Sequence, residues 1–288
     1  MIYIKYLNFN NVNNFGDIVN INISHNFYGA PITTSSQDNL MQNLVYDFRN
    51  FCVIVVDVLR ASTTITTLLE ICNEIYITDS IEDIEFNHNS NNSNINNNSN
   101  NNSNNFVKIG ERNGKKIEDF DFGNSPFEIR LNKDYIISQI NNGKDILLTT
   151  TNGTRILKSI LSDNILMGSI TNAKYVAEVA YNMAKENKKD ILIIPCHRKG
   201  TFAIEDYVGA GIITKYILKH LNETKPYYNE ELIPVLNLVK SDWKSLIFNG
   251  SSANNLKNLG YSKDLIFCTS ENIQKTVGIY KSGKIVKY

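Results

Sequence analysis

The stretch VIVVDVLRASTTITTLLE, residues 53–70, decides the fold. Val53, Ile54, Val55 and Val56 form an unbroken run of β-branched apolar residues, the composition of a strand covered on both faces. Asp57 ends the run, Arg60 follows, and Ser62, Thr63 and Thr64 open a segment of helical period. A strand that gives way to an acid, an arginine and a hydroxyl cluster is a strand-to-helix junction. In α/β proteins, ligands gather at such junctions.

The same pattern recurs along the chain. DILLTTT leads into NGTRILKSIL, DNILMGSI into TNAKYVAEVAYNMAKEN, and DILIIPC into AIEDYVGAGIITKYILKHL. Strands alternating with helices predict a layered α/β/α architecture with a mixed, partly parallel sheet. The length suits a single unit, 1–288, with room for two lobes of about 1–165 and 166–288 around a cleft. The last third reads as helix, turn, helix and one closing strand. Residues 87–105, NHNSNNSNINNNSNNNSNN, hold a lone apolar residue, Ile95, too little to offset the entropy of ordering a backbone. They are expected to be a disordered Asn/Ser-rich insertion that lengthens a loop at small cost, because closure entropy grows only logarithmically.

Composition narrows the function. The formal net charge is zero, which leaves no basic excess for nucleic acid or anionic lipid. No apolar run approaches the ~20 residues of a membrane span, and the first residues lack the zones of a signal peptide. The expected location is the cytoplasm. Cys52, Cys72, Cys196 and Cys268 lie far apart with no C-x-x-C pair, so they are expected as reduced, buried thiols.

Asp57 is placed to hold a metal ion or to cap the following helix. Glu205 and Asp206 are adjacent in TFAIEDYVGAGI, and side chains of helical neighbours diverge by ~100°, which predicts that only one of them faces a metal directly. GERNGKKIEDFDFGNSPFE, residues 110–128, concentrates Glu111, Arg112, Asn124 and Ser125 among three glycines and reads as a tight ligand loop. LLTTTNGTRIL, residues 147–157, brings Thr151, Asn152 and Gly153 to a helix start with Arg155 one turn in. The chain has six arginines among 29 basic residues, and Arg60, Arg112, Arg155 and Arg198 all fall in these loops. Scarce guanidinium groups concentrated there point to a small, multiply charged anion. Three phosphoryl-transfer signatures fail on residues. No junction carries the P-loop pattern, Leu59 stands where a haloacid-dehalogenase-like enzyme has its second acid, and Phe202 stands where a cysteine phosphatase has its arginine.

The segments VVDVLRASTTI, GERNGKKIEDFDFGNSP, LTTTNGTR, PCHRKGTFAIEDYVGAG and NLGYSKDLIFC, in that order, resemble the 2-phosphosulfolactate phosphatase family. The resemblance implies a Mg²⁺-dependent phosphatase that cleaves 2-phospho-3-sulfolactate to 3-sulfolactate and phosphate, a step toward coenzyme M. Its partner is then a small, multiply anionic phosphate ester, with no nucleic acid or membrane and with self-association into a homo-oligomer left open. Asp57, Arg60, Glu111, Arg155 and Glu205 are expected to be catalytic. Asp57, Glu205 and Asp206 are expected at the metal, and Ser62, Thr63, Arg112, Asn124, Ser125, Thr151, Asn152 and Gly153 at the substrate. Attack by water is favoured over a phosphoenzyme at Asp57. The loop CHRKGTF departs from the family's cysteine, small residue, glycine run, which leaves Cys196, His197 and Arg198 without assigned roles. The alternatives are a phosphatase for another 2-hydroxy acid ester and a noncatalytic organic-anion binder of the same fold.

Overall fold

The computed structural model describes residues 2–4, 46–78, 105–151, 153–196, 198, 201–221 and 232–288. The strands are β1 (Ile2–Ile4), β2 (Tyr46–Asp47), β3 (Phe51–Val56), β4 (Glu74–Ile77), β5 (Phe106–Arg112), β6 (Lys115–Lys116), β7 (Asp145–Thr149), β8 (Ile160–Leu161), β9 (Ile165–Gly168), β10 (Asp190–Pro195), β11 (Gly278–Lys281) and β12 (Lys284–Lys287). The helices, renumbered in order, are α1 (Ala61–Leu68), α2 (Pro126–Leu131), α3 (Lys133–Asn141), α4 (Gly153–Ser159), α5 (Ala173–Asn187), α6 (Ile204–His220), α7 (Leu232–Leu238), α8 (Trp243–Asn249), α9 (Ser251–Asn258) and α10 (Ser262–Cys268). The insertion at 87–105 lies outside the described residues. Among the described residues, no helix is long and apolar enough to cross a membrane.

Ten strands form one mixed sheet in the order β1-β10-β3-β9-β11-β12-β4-β7-β5-β6, and β2 pairs β8 apart from it. The opening run occupies β3, whose side chains alternate between two cores as a period of two demands. Cys52, Ile54 and Val56 pack with Val176 and Ala180 of α5 and with Val208 and Ile212 of α6. Val53 and Val55 join Ile65 of α1, Ile109 of β5 and Leu148 of β7. Each such fully buried side chain contributes about 1.5–3 kcal/mol, so β3 anchors both helical layers.

The sheet contains two parallel blocks of opposite sense. β1, β10, β3 and β9 run one way. β4, β7 and β5 run the other, because the antiparallel hairpin β11–β12 stands between the blocks and pairs antiparallel to β9 on one side and β4 on the other. The C-terminal segment expected as one closing strand is thus two, and they occupy the middle of the sheet. Five pairings separate β3 from β7. At about 20–25° of twist each the accumulated rotation exceeds a right angle, which lets strands of opposite sense bring their carboxyl ends to a common corner.

Helix α6 approaches the end of β3 at Gly209, where a Cβ would lie 2.6 Å from Cγ2 of Val58 and 3.0 Å from Cγ1 of Val56. The residue after Asp57 therefore rests directly on this helix. Gly209→Ala is expected to lower stability by about 1–3 kcal/mol through overpacking, read as a fall in the urea midpoint with an unchanged slope. An unchanged midpoint would show that the contact yields freely.

Candidate active site

Asp57 follows the last residue of β3, and its Oδ1 accepts a hydrogen bond of 3.0 Å from Ala61 N at the start of α1. Arg60, the residue preceding that helix, supplies no side-chain cap, so the carboxylate satisfies a helix donor that would otherwise be unpaired. Asp57 N donates to Ser62 Oγ at 3.0 Å. Glu205 and Asp206 sit in the first turn of α6, where the helix dipole favours negative charge. Asp206 Oδ1 accepts from Val58 N at 2.8 Å and so ties α6 to the loop after β3.

Glu111 comes from the other block. The Asn113–Gly114 turn, with φ of 56° and 84°, closes the β5–β6 hairpin in the left-handed backbone that this residue pair tolerates. Glu111 Oε2 accepts from Gly114 N at 2.6 Å, and Oε1 accepts from Thr151 N at 2.8 Å in the loop after β7. Both oxygens are thus engaged by backbone donors, and Glu111 clamps two loops together.

These four carboxylates line one cavity of about 500 Å³, which also takes in Asn124, Thr150, Thr151, Arg60 and Arg198. All four are buried, and Asp57 is 9% exposed. Burial, and then the negative charges of Glu111 and Glu205, push the Asp57 carboxyl up to about 7. Asp206 is raised well above the carboxylate range by burial, with Asp57 and Glu205 adding to the effect. Among the described residues, Asn124 Oδ1 and Thr151 Oγ1 are buried without a hydrogen-bond partner. The cavity therefore has a surplus of acceptor oxygens and a deficit of positive charge, the donor set of a hard divalent cation. Among the described residues no three His, Cys, Asp or Glu side chains form a ready-made metal cage. Magnesium uses one or two carboxylates, keeps waters and shares substrate oxygens, and the open arrangement fits it.

Several expected site residues are engaged elsewhere. Arg60, expected to be catalytic, is buried with its Nη1 2.8 Å from Oδ2 of the equally buried Asp264. Its Nη2 donates to Gly114 O at 2.9 Å, and the guanidinium lies 4.5 Å from the Tyr261 ring centre. Ser62 and Thr63 are fully buried, with Thr63 Oγ1 donating to Val58 O at 2.9 Å and lying 2.6 Å from Ser169 Oγ. Ser125 caps α2 by accepting from Glu128 N at 3.1 Å and donates to Asp264 Oδ1 at 2.7 Å. Arg112 is exposed, bonded through Nη2 to Thr149 Oγ1 at 3.0 Å, and does not line the cavity. Gly153 and Arg155 lie in the first turn of α4, while Asn152 and the Arg155 side chain fall outside the described residues, as does His197. Glu205 and Asp206 both line the cavity. Cys196 is buried, and burial together with Asp57 and Asp206 pushes its thiol well above the ordinary value, the setting of a structural rather than a reactive cysteine.

Asp264 was not legible as a site residue. It sits in the first turn of α10, beyond the junctions where ligand loops gather, and it holds Arg60, Ser125 and Phe127 N at once. Its segment, NLGYSKDLIFC, carries no spacing that separates it from a surface helix. Ser252 and Asn255 of α9 reach the cavity from the same C-terminal region.

A family model described as 2-phosphosulpholactate phosphatase matches residues 39–283. A protein of Methanocaldococcus jannaschii named 2-phosphosulfolactate phosphatase is 49% identical over 231 residues, covering 80% of this chain and 89% of that one. Proteins named probable 2-phosphosulfolactate phosphatase from Clostridium novyi and Thermotoga petrophila are 33% and 32% identical, covering 83% and 81% of this chain and 93% and 90% of theirs.

Removing one member of a buried ion pair leaves the other charge uncompensated. Asp264→Ala is therefore expected to cost about 3–5 kcal/mol in urea unfolding, and the double variant with Arg60→Met is expected to recover part of that loss. A single variant as stable as the parent would show that the pair does not hold α10 against the site.

Proposed function

We propose a reaction for this chain, which belongs to the 2-phosphosulpholactate phosphatase family: in the cytoplasm it hydrolyses 2-phospho-3-sulfolactate to 3-sulfolactate and inorganic phosphate with the help of Mg²⁺, a step toward coenzyme M. The observation that carries the reading is the convergence of Asp57, Glu111, Glu205 and Asp206, all within the matched residues, on one cavity with an unpaired buried acceptor at Asn124. Asp57, Glu205 and Asp206 are the residues that would hold the cation. When bound, a divalent cation supplies charge neutralisation to the phosphoryl oxygens.

The protein's own groups supply the rest. One oxygen each of Asp57 and Asp206 is fixed by Ala61 N and Val58 N, which leaves the other oxygen of each for the ligand. Glu111 holds the Gly114 turn and the Thr151 loop at a constant separation, so the walls that meet the ester are set before it arrives. Attack by water is favoured over a phosphoenzyme, because Asp57 is assigned to the cation and one of its oxygens is already engaged by Ala61 N. Acid quenching after turnover of labelled substrate decides between them: label on the protein would overturn the water route.

Phosphate release from 2-phospho-3-sulfolactate tests the activity, with Asp57→Asn expected to lose at least about 100-fold in kcat while keeping the fold. A chain that binds the ester but releases nothing would be the noncatalytic binder. The metal has a readout independent of turnover. An acid with a raised folded pKa holds its proton more firmly when folded, so its contribution to stability is present below the unfolded value of about 3.9 and is lost as pH climbs towards the folded one. Without metal, Asp57 should thus lower stability between about pH 4 and pH 7. Mg²⁺ should raise Tm above pH 7 and have little effect near pH 4, and a shift of equal size at both would argue against cation binding by these carboxylates.

A further inference from the structure

Among the described residues, Arg60 and Arg198 are the arginines that line the cavity. They differ sharply in what else they touch. The Arg60 charge is matched by Asp264 inside the protein and adds little net attraction for a ligand. Arg198 is exposed, and among the described residues its guanidinium has no hydrogen-bond or ion-pair partner. Its backbone is nonetheless held. Arg198 N donates to Thr201 O and Thr201 N to Arg198 O, both at 3.0 Å, and Thr201 Oγ1 donates to Arg198 O at 2.6 Å. This closed turn lies between the end of β10 and the start of α6, whose first turn carries Glu205 and Asp206.

The substrate proposed above carries a carboxylate and a sulfonate on its carbon chain in addition to the phosphate. Four carboxylates repel those groups, and a divalent ion held among them would serve the phosphate end. A ligand of this charge needs a further cation, and a guanidinium with no partner among the described residues is the group suited to a carboxylate or sulfonate. We propose that Arg198 is a specificity-determining residue that binds an oxyanion of the substrate other than its phosphate. The assignment rests on the phosphatase reading and names the residue that meets that group.

A substrate series tests it: 2-phospho-3-sulfolactate, 2-phospholactate and glycerol 2-phosphate, which carries no second anion. Arg198→Ala is expected to lower kcat/KM for the first by about 10- to 100-fold and to leave glycerol 2-phosphate within about twofold, with Arg198→Lys between parent and Ala. Loss on 2-phospholactate as well identifies the carboxylate as the partner, and loss confined to the sulfonated ester identifies the sulfonate; either outcome supports the proposal. Equal loss on all three substrates, or no loss, overturns it. Binding of 3-sulfolactate, measured by calorimetry on parent and variant, keeps the two readings apart. If the parent releases no phosphate the hydrolysis reading falls, and Arg198 still stands only if its removal weakens 3-sulfolactate binding by at least about tenfold. Unchanged or absent binding overturns it.

Discussion

Like charge held together in a low-dielectric corner is the constraint around which this fold is organised. Asp57, Glu111, Glu205 and Asp206 repel one another and lose hydration on burial, as the raised Asp57 and Asp206 carboxyls record. Their positions are maintained by backbone amides. Ala61 N, Val58 N, Gly114 N and Thr151 N each take one oxygen of three of these side chains. Because the donors belong to a helix start, a strand-end loop, a hairpin turn and a second strand-end loop, the acids cannot relax apart without unmaking local structure.

A second layer holds those amides. Asp264 draws Arg60, Ser125 and the start of α2 onto α10, and Arg60 in turn donates to the carbonyl of Gly114 beside the Glu111 clamp. The pocket floor from the first block, the hairpin from the second and the helices of the C-terminal region are thus linked by one buried ion pair and its hydrogen bonds. An exposed pair of the same kind, such as Arg49 with Asp47, contributes little because water screens it. Burial gives the Arg60 pair its structural weight.

The junction at residues 53–70 was readable because its signals are local: a β-branched run, an abrupt acid and a hydroxyl-rich helix start. The same holds for the strands and helices around Thr149, Ala173 and Ile204. What local pattern does not encode is sense and partnership. GIYKSGKIVKY reads as strand-forming around a Ser-Gly turn signal, yet nothing in it says that the resulting hairpin is inserted between β9 and β4. The site was legible to the same degree. The acids on strand ends could be named, whereas the commitment of Arg60 to Asp264 depends on a contact 204 residues apart along the chain. Ser62 and Thr63 follow the rule that hydroxyls at a helix start have two uses, and here the internal one prevails.

The hairpin at residues 278–287 is also the seam between two blocks that share a core. While the chain is being synthesised, β3, β9, β4 and β7 all emerge well before their seam does. No continuous sheet can exist until residue 287 has left the ribosome. Up to that moment the facing edges of β9 and β4 present unsatisfied amides and carbonyls, a surface that the nascent protein must keep from pairing with neighbours.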